Sequence, residues 1–178
     1  MKLGLIRHFK VDQRKKFFLS TDKFNRLMKE YDECPVIPNE LTVNHSEWEV
    51  CYCSTLPRAR KTAESVFNKK IIETDLLVEV PVNSFTDKNI TLPLFLWHIG
   101  ARVAWYKSHK SQLENISQTK RRIENFYEMI VDSGYKNILI VSHGYFLSIF
   151  YQEMKKKGFT GIIDINIKNG KLYTLTKQ

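Results

Sequence analysis

The first eight residues read MKLGLIRH, and the rest of the chain can be understood by working outward from them. The apolar run at residues 3–6 is short, rich in Leu and Ile and without alternation, which is typical of a strand buried on both faces of a sheet. It ends at Arg7 and His8. In open α/β sheets, ligands bind beyond the carboxyl ends of the strands. The stretch therefore predicts an α/β protein whose functional groups begin where its first strand ends.

Two later segments place similar side chains at similar points. NILIVSHG, residues 137–144, is a second buried-strand pattern that ends in a histidine, His143. STLPRARKTAE, residues 54–64, is a strand end that runs into a helix with Arg58 in its first turn. Two histidines and two arginines are thus expected to meet at one edge of one sheet. Arginine offers a planar fork for phosphate oxygens and histidine a nucleophilic nitrogen or a donor, so the segments predict a site for a tetrahedral dianion.

Together the three segments resemble the motifs of the histidine phosphatase superfamily, which has the phosphoglycerate-mutase-like fold. The resemblance extends over nearly the whole chain and rests, in this order, on Arg7-His8, Ser54-x-x-x-Arg58-Ala59-x-x-Thr62-Ala63-Glu64 and Ser142-His143-Gly144. It implies a three-layer α/β/α sandwich with a mostly parallel central sheet flanked by helices. It also implies metal-independent hydrolysis of phosphomonoesters through a phosphohistidine intermediate on His8, with Arg7, Arg58 and His143 binding the phosphate oxygens.

The resemblance further implies an acid that protonates the leaving oxygen. Glu79 occupies the matching position, after an apolar pattern that predicts a strand at residues 76–78. The glycine that usually follows is absent, and Asp75 and Asp87 are alternatives for the acid. Lys10 is a further candidate for contacting a substrate phosphate, and a solvent-facing lysine is the alternative interpretation.

Departures from the family pattern keep other functions open. Phe9 stands where family members usually carry glycine, and the Glu-Thr and Trp-Asn that follow in the mutases are missing. The missing segment argues against a phosphoglycerate-mutase-type phosphotransferase. A bulky side chain beside the nucleophile favours a non-catalytic domain that binds phosphorylated ligands, whereas the two histidines, two arginines and acid favour the enzyme. A nucleic-acid module is supported only by positive charge.

The remaining patterns predict a single domain over residues 1–178. Helical stripes are expected near residues 20–31, 56–67, 92–106, 113–130 and 144–157, and further strands near residues 48–53 and 71–72. The aromatic-rich segment 83–111 is expected to form a helical cap that partly covers the site, with packing against the sheet as the alternative. Residues 163–167 and 172–175 flank Asn169-Gly170, which predicts a C-terminal hairpin with a type I′ turn.

Composition limits these predictions. A chain of 178 residues with 43% hydrophobic residues is long enough for one folded core. No apolar stretch predicts a signal peptide or a membrane span, so a cytoplasmic location is expected.

The net charge of +9 includes three short basic clusters, at residues 14–16, 120–122 and 155–157, that are expected to be mostly solvated. Cys34, Cys51 and Cys53 are predicted to be free thiols. The expected partner is a small phosphorylated metabolite or a phosphoprotein, with no nucleic acid, membrane, metal or cofactor.

Overall fold

The structure, a computed structural model, describes residues 1–13 and 16–178. In chain order the strands are β1 Lys2–Arg7, β2 Phe18–Ser20, β3 Val50–Ser54, β4 Ile71–Thr74, β5 Thr91–Pro93, β6 Asn137–Ser142 and β7 Leu172–Thr176. The α-helices are α1 Thr21–Glu33, α2 Pro57–Val66, α3 Leu94–Tyr106, α4 Ile116–Asp132 and α5 Gly144–Lys156. Single turns of 3-10 helix span His45–Glu47 and Asp75–Leu77. Arg14 and Lys15, from the first basic cluster, lie outside the described residues.

The central sheet brings the predicted motifs to one edge. Its strand order is β4-β3-β6-β1-β7, and neighbouring strands are parallel except β7, which is antiparallel to β1. In the β1–β6 pair Arg7 lies opposite Ser142, and in the β3–β6 pair Cys53 lies opposite Val141. The carboxyl ends of β1, β3 and β6 therefore lie side by side. The mostly parallel sheet predicted from the sequence is confirmed.

Alternate residues of the sheet pack against helices on its two faces, as the period of two in a strand requires. Tyr52 and Ile140 belong to a core that includes Phe126 of α4 and residues of α5. Cys53, the next residue along β3, faces the opposite way into a second core with Ala63 of α2. The three-layer α/β/α arrangement is thus confirmed.

The cysteines form no disulfide, in agreement with the prediction of free thiols. Burial raises the pKa of the Cys53 thiol to about 12, which keeps it protonated and unreactive at neutral pH. Cys51 and Cys53, both buried in the core, therefore contribute packing rather than chemistry.

A smaller unit stands beside the main sheet. Strands β2 and β5 form an antiparallel pair, and helices α1 and α3 pack around it. Phe24 of α1 stacks on Trp97 of α3 with ring centroids 5.1 Å apart, and the Trp97 indole N–H donates to the Leu19 carbonyl at 2.9 Å. Segment 83–111 thus contains a helix that packs on α1, while Trp105 near the end of α3 joins the main core.

The predicted C-terminal hairpin is wrong. Residues 163–167 form no strand, and β7 pairs with β1 instead. A type I′ turn needs positive φ at both central residues, but of the turn pair only Gly170 has one, at 60°. The Asn169 side chain donates across the fold to the His8 carbonyl at 2.7 Å. The Asn-Gly pair therefore holds the end of β1 rather than closing a hairpin.

The strand predicted at residues 76–78 is also wrong. Thr74 ends β4, and its hydroxyl accepts a hydrogen bond from the Leu76 N–H at 3.2 Å. A local side-chain acceptor of this kind replaces the ladder bond that would continue the strand, and Asp75–Leu77 turns as a 3-10 helix. Glu79 therefore follows a turn.

In the described part of the chain, no helix is both long and apolar enough to span a bilayer.

Candidate active site

His8 lies just beyond the end of β1 with only 2% of its surface exposed. Its Nδ1 is 2.6 Å from the Phe9 carbonyl oxygen. A carbonyl oxygen can only accept, so Nδ1 carries the proton and Nε2 keeps a free lone pair. The ring is therefore held in the tautomer that a nucleophile requires.

The backbone around His8 is fixed from several directions. Its N–H donates to the Ser142 carbonyl of β6 at 2.9 Å, and its carbonyl accepts from the Asn169 amide at 2.7 Å. The next N–H, of Phe9, donates to the Thr62 hydroxyl at 2.9 Å. Three separate elements thus set the orientation of one peptide and of the imidazole beside it.

His143 follows β6, and its ring centroid lies 5.1 Å from that of His8. Its Nε2 is 2.8 Å from the Ser54 hydroxyl oxygen, which also accepts from the Leu56 N–H at 3.2 Å. In the tautomer in which the Ser54 hydroxyl donates to Nε2, the proton of His143 lies on Nδ1. Nδ1 is buried and has no hydrogen-bond partner among the described residues.

Two arginines complete the group. The Arg58 side chain is 1% exposed, donates through Nη1 to Asp32 at 2.8 Å and lies 5.0 Å from the centroid of the Tyr31 ring. The Arg7 Nη1 donates to the Ile167 carbonyl at 2.8 Å. Within residues 1–13 and 16–178, the Nε of each arginine is buried without an acceptor. Buried donors are normally satisfied, so these two groups indicate a ligand that supplies acceptors.

Glycine at position 144 gives the Arg7 side chain its room. A Cβ at this position would lie 2.9 Å from the Arg7 Nε and 3.0 Å from its Cζ. Real Cβ atoms essentially never approach other atoms so closely, so a larger residue would displace the guanidinium. The Ser-His-Gly motif thus supplies both a histidine and space for an arginine.

Burial and charge keep both imidazoles neutral. Burial, followed by the positive charges of Arg58 and Arg7, lowers the pKa of His8 to about 3, although its hydrogen bond to Phe9 acts in the opposite direction. The pKa of His143 is held well below its usual value by burial, by Arg58 and by His8. A neutral imidazole with a free lone pair thus faces two guanidinium groups, which suits attack on the phosphorus of a bound dianion.

A cavity of about 1030 Å³ adjoins the two arginines and is lined by Arg7, Arg58, Glu79 and residues of α1, α3 and α4. His8 and His143 are buried behind this lining and do not belong to it. Glu79 lies where α5 begins, because its Oε1 accepts from the Phe146 N–H at 2.9 Å and its Oε2 from the Tyr145 N–H at 3.3 Å. Free N–H groups at a helix N-terminus need acceptors, and the two Glu79 oxygens supply them. The side chain is thereby held at the cavity wall.

The other sequence candidates lie in different places. Asp75 also lines the cavity and accepts a hydrogen bond from Thr55, whereas Asp87 is exposed and outside the cavity lining. Lys10 is exposed and is not among the lining residues. Among the described residues, no three His, Cys, Asp or Glu side chains come together in a way that could hold a metal ion.

Several residues of the site were not predicted. Tyr31 and Asp32 contact Arg58 from the end of α1, and Arg102 of α3 lines the cavity. Arg122 was grouped with a solvated basic cluster, but it donates to the Leu76 and Val78 carbonyls and to Glu114. The sequence next to these residues gives no signal of a functional role, because each role depends on how the helix that carries the residue packs in the fold.

The converging donors form a candidate anion-binding site at the carboxyl edge of a mostly parallel sheet. The chain belongs to the histidine phosphatase superfamily (branch 1), whose family model matches residues 41–178. Residues 1–40, with Arg7 and His8, lie outside that match, and the register of β1 beside β6 places them at the site.

Solved structures show the same fold at low sequence identity. Phosphoserine phosphatase from Entamoeba histolytica, as a histidine-to-alanine mutant in complex with phosphoserine, is 16% identical with a TM-score of 0.56, over 97% of this chain and 89% of that one. The same enzyme with 3-phosphoglyceric acid is 18% identical with a TM-score of 0.54, over 97% and 89%. The product of open reading frame Rv3214 from Mycobacterium tuberculosis is 17% identical with a TM-score of 0.54, over 99% and 91%. No curated protein sequence matches the chain significantly.

Proposed function

We propose that the protein is a metal-independent phosphatase that hydrolyses phosphomonoesters through a phosphohistidine intermediate on His8. One observation carries the proposal: among the described residues, buried nitrogen atoms of Arg7, Arg58 and His143 have no hydrogen-bond partner, and they lie close to a neutral His8 whose Nε2 also has none. A phosphate dianion supplies acceptors for these donors and an electrophile for this lone pair. The supporting finding from comparison is membership of a phosphatase superfamily.

The reaction has two steps. The His8 Nε2 attacks phosphorus as the bond from phosphorus to the ester oxygen breaks, and protonated Glu79 gives its proton to that oxygen. Water then attacks the phosphohistidine, Glu79 accepts a proton from it, and inorganic phosphate leaves. Arg7, Arg58 and His143 hold the non-bridging oxygens throughout, because phosphoryl transfer is accelerated mainly by positioning and by electrostatic stabilisation.

Phe9 bears on the non-catalytic alternative. Its side chain is 1% exposed and belongs to the core shared with α2, and it lies beside Gly170 rather than in the cavity lining. The steric objection that a bulky residue after the nucleophile obstructs phosphate therefore lacks support. The substrate class that we propose is a small phosphorylated metabolite, in line with the phosphoserine and phosphoglyceric acid bound by the E. histolytica enzyme.

The test is hydrolysis of para-nitrophenyl phosphate in EDTA, with the phosphoenzyme trapped in parallel from radiolabelled substrate. We expect turnover by the wild type, an acid-labile label on the protein, and loss of both in His8→Ala. His109→Ala is the matched control because this histidine is exposed. Arg58→Ala is compared with Arg60→Ala, which removes a half-exposed arginine paired with Glu73.

Three results would contradict the proposal. One is a wild type that binds vanadate but turns over no phosphomonoester at any pH, which is the behaviour of a binding domain. Another is full activity in His8→Ala. The third is transfer of the phosphoryl group to a second hydroxyl of a phosphoglycerate instead of to water, which would identify a mutase.

A further inference from the structure

Arg102 is a cavity-lining cation that the proposed reaction does not use. It lies on α3 at a spacing of four and eight residues from His98 and Leu94, and all three line the cavity. Residues at this spacing share one face of a helix. One face of α3 is therefore turned toward the substrate cavity, with Arg102 as its charged residue.

The guanidinium of Arg102 is held firmly but keeps most of its donors. Its Cζ lies 3.7 Å from the centroid of the Tyr145 ring, and its Nη1 donates to the Val80 carbonyl at 3.2 Å. This is its one hydrogen bond to the described residues, and an arginine has five N–H donors. Stacking on the ring fixes the plane of the fork and leaves the other donors available.

Two other arginines of the cavity have carboxylate partners, whereas Arg7, which is assigned to the phosphate, has only the Ile167 carbonyl among the described residues. Arg122 makes a two-pronged contact with Glu114, at 3.2 Å and 3.0 Å, and Arg58 is paired with Asp32. No carboxylate in the part of the chain that the structure describes forms an ion pair with Arg102. Burial lowers the pKa of Arg102, because nearby negative charge does not fully offset the cost of removing the guanidinium from water. An anion from the substrate would supply what is missing.

The position of Arg102 specifies where on the substrate that anion lies. Its Nη1 donates to the carbonyl of Val80, the residue that immediately follows Glu79, and both Arg102 and Glu79 line the cavity. Glu79 is the group proposed to protonate the leaving oxygen. Arg102 therefore lies on the side of the cavity where the proposed acid is, which is the leaving-group side.

We propose that Arg102 forms a second anion subsite, which binds a carboxylate or a second phosphate carried on the leaving group close to the ester oxygen. Preferred substrates are then small phosphomonoesters with two anionic groups, such as phosphorylated hydroxy acids, phosphorylated amino acids or sugar bisphosphates. The subsite rests on the proposed phosphatase function.

Matched substrate pairs test the subsite. O-phosphoserine is compared with O-phosphoethanolamine, which lacks the carboxylate, and fructose 1,6-bisphosphate with fructose 6-phosphate. Each pair is assayed with the wild type, Arg102→Gln and Arg102→Lys. A charge-assisted hydrogen bond corresponds to about 10- to 100-fold in kcat/KM, so the wild type is expected to favour the doubly anionic member of at least one pair by that factor. The pair that shows the preference identifies the anion.

Arg102→Gln should abolish the preference mainly by raising KM for the doubly anionic ester, and Arg102→Lys should retain part of it. Hydrolysis of para-nitrophenyl phosphate should change by less than about threefold, since this substrate has no second anion. Equal losses on both members of a pair would overturn the subsite, because Arg102 would then act through Glu79 or through the fold. The absence of any preference in the wild type would overturn it as well.

A binding measurement separates failure of the subsite from failure of the proposed function. The same compounds are titrated calorimetrically into His8→Asn and into the double variant His8→Asn/Arg102→Gln, neither of which needs to turn them over. If the wild type hydrolyses nothing but the Arg102 substitution still removes tight binding of the doubly anionic compound, the proposed activity fails and the subsite stands. If binding of both compounds is unaffected by the substitution, the subsite fails.

Discussion

The low pKa of His8 predicts that this residue makes the folded protein sensitive to acid. Its pKa is 6.5 in an unfolded chain and about 3 in the fold. As the pH falls below 6.5 the unfolded chain binds a proton at His8 and the folded chain does not, so the free energy of unfolding decreases until the pH reaches about 3. Between pH 7 and pH 5, these two pKa values correspond to a loss of about 2 kcal/mol from His8 alone.

The assay is urea denaturation at pH 7 and at pH 5, in buffers free of phosphate and other bound anions. His8→Asn removes the titrating group and keeps a neutral polar side chain. We expect its stability to fall by about 2 kcal/mol less than that of the wild type between the two pH values. His143 remains, and because its pKa is also lowered it accounts for part of the acid sensitivity that is left.

His109→Asn is the matched control, since it makes the same substitution at an exposed histidine outside the site. If the wild type and His8→Asn lose stability in parallel from pH 7 to pH 5, within about 0.5 kcal/mol, the buried neutral imidazole is refuted. The explanation that burial and the two arginines keep His8 unprotonated for attack would then be wrong.

Three further substitutions probe how the site is held. Gly144→Ala would force the Arg7 guanidinium aside, since the new methyl would lie 2.9 Å from Nε, and the inhibition constant of vanadate should rise at least about tenfold; an unchanged constant would contradict this. Asn169→Ala removes the donor to the His8 carbonyl, and we expect kcat on para-nitrophenyl phosphate to fall about tenfold with KM nearly unchanged, whereas equal kcat would show that this contact is dispensable. Thr62→Val leaves a buried N–H without an acceptor and should cost about 1–3 kcal/mol in urea denaturation, a loss that the exposed Thr160→Val should not show.

The parts of the site that could be predicted are those in which local pattern determines position. Buried strands are recognisable from short apolar runs, and parallel strands end at one edge, so Arg7, His8 and His143 could be placed together before any contact was known. Arg58 followed because a helix begins where β3 ends. The structure brings these four residues close together, and their catalytic roles stay a prediction.

The parts that could not be predicted depend on packing between distant elements. Asp32 reaches Arg58 only because α1 packs against α2, and the sequence around Asp32 shows only the amphipathic stripe of a helix. Arg122 lies within a run of cations, and its burial depends on the distant Leu76 and Val78 carbonyls to which it donates. The Asn169-Gly170 signal was misread for the same reason, because the side chain of Asn169 bonds to a residue 161 positions away.

The two arginines serve both requirements of the proposed chemistry. Attack by His8 needs an unprotonated imidazole, and the positive charges of Arg58 and Arg7 disfavour the imidazolium in addition to the effect of burial. Binding of substrate needs cations, and the same guanidinium groups keep an Nε–H free for phosphate. Asp32 reconciles these demands: it pairs with the buried Arg58 through Nη1 but is half exposed, so solvent screens its charge and it neutralises the arginine only in part. Without Asp32 the buried Arg58 would lack a fixed partner before substrate binds, and with a fully buried carboxylate it would have too little charge left for the dianion.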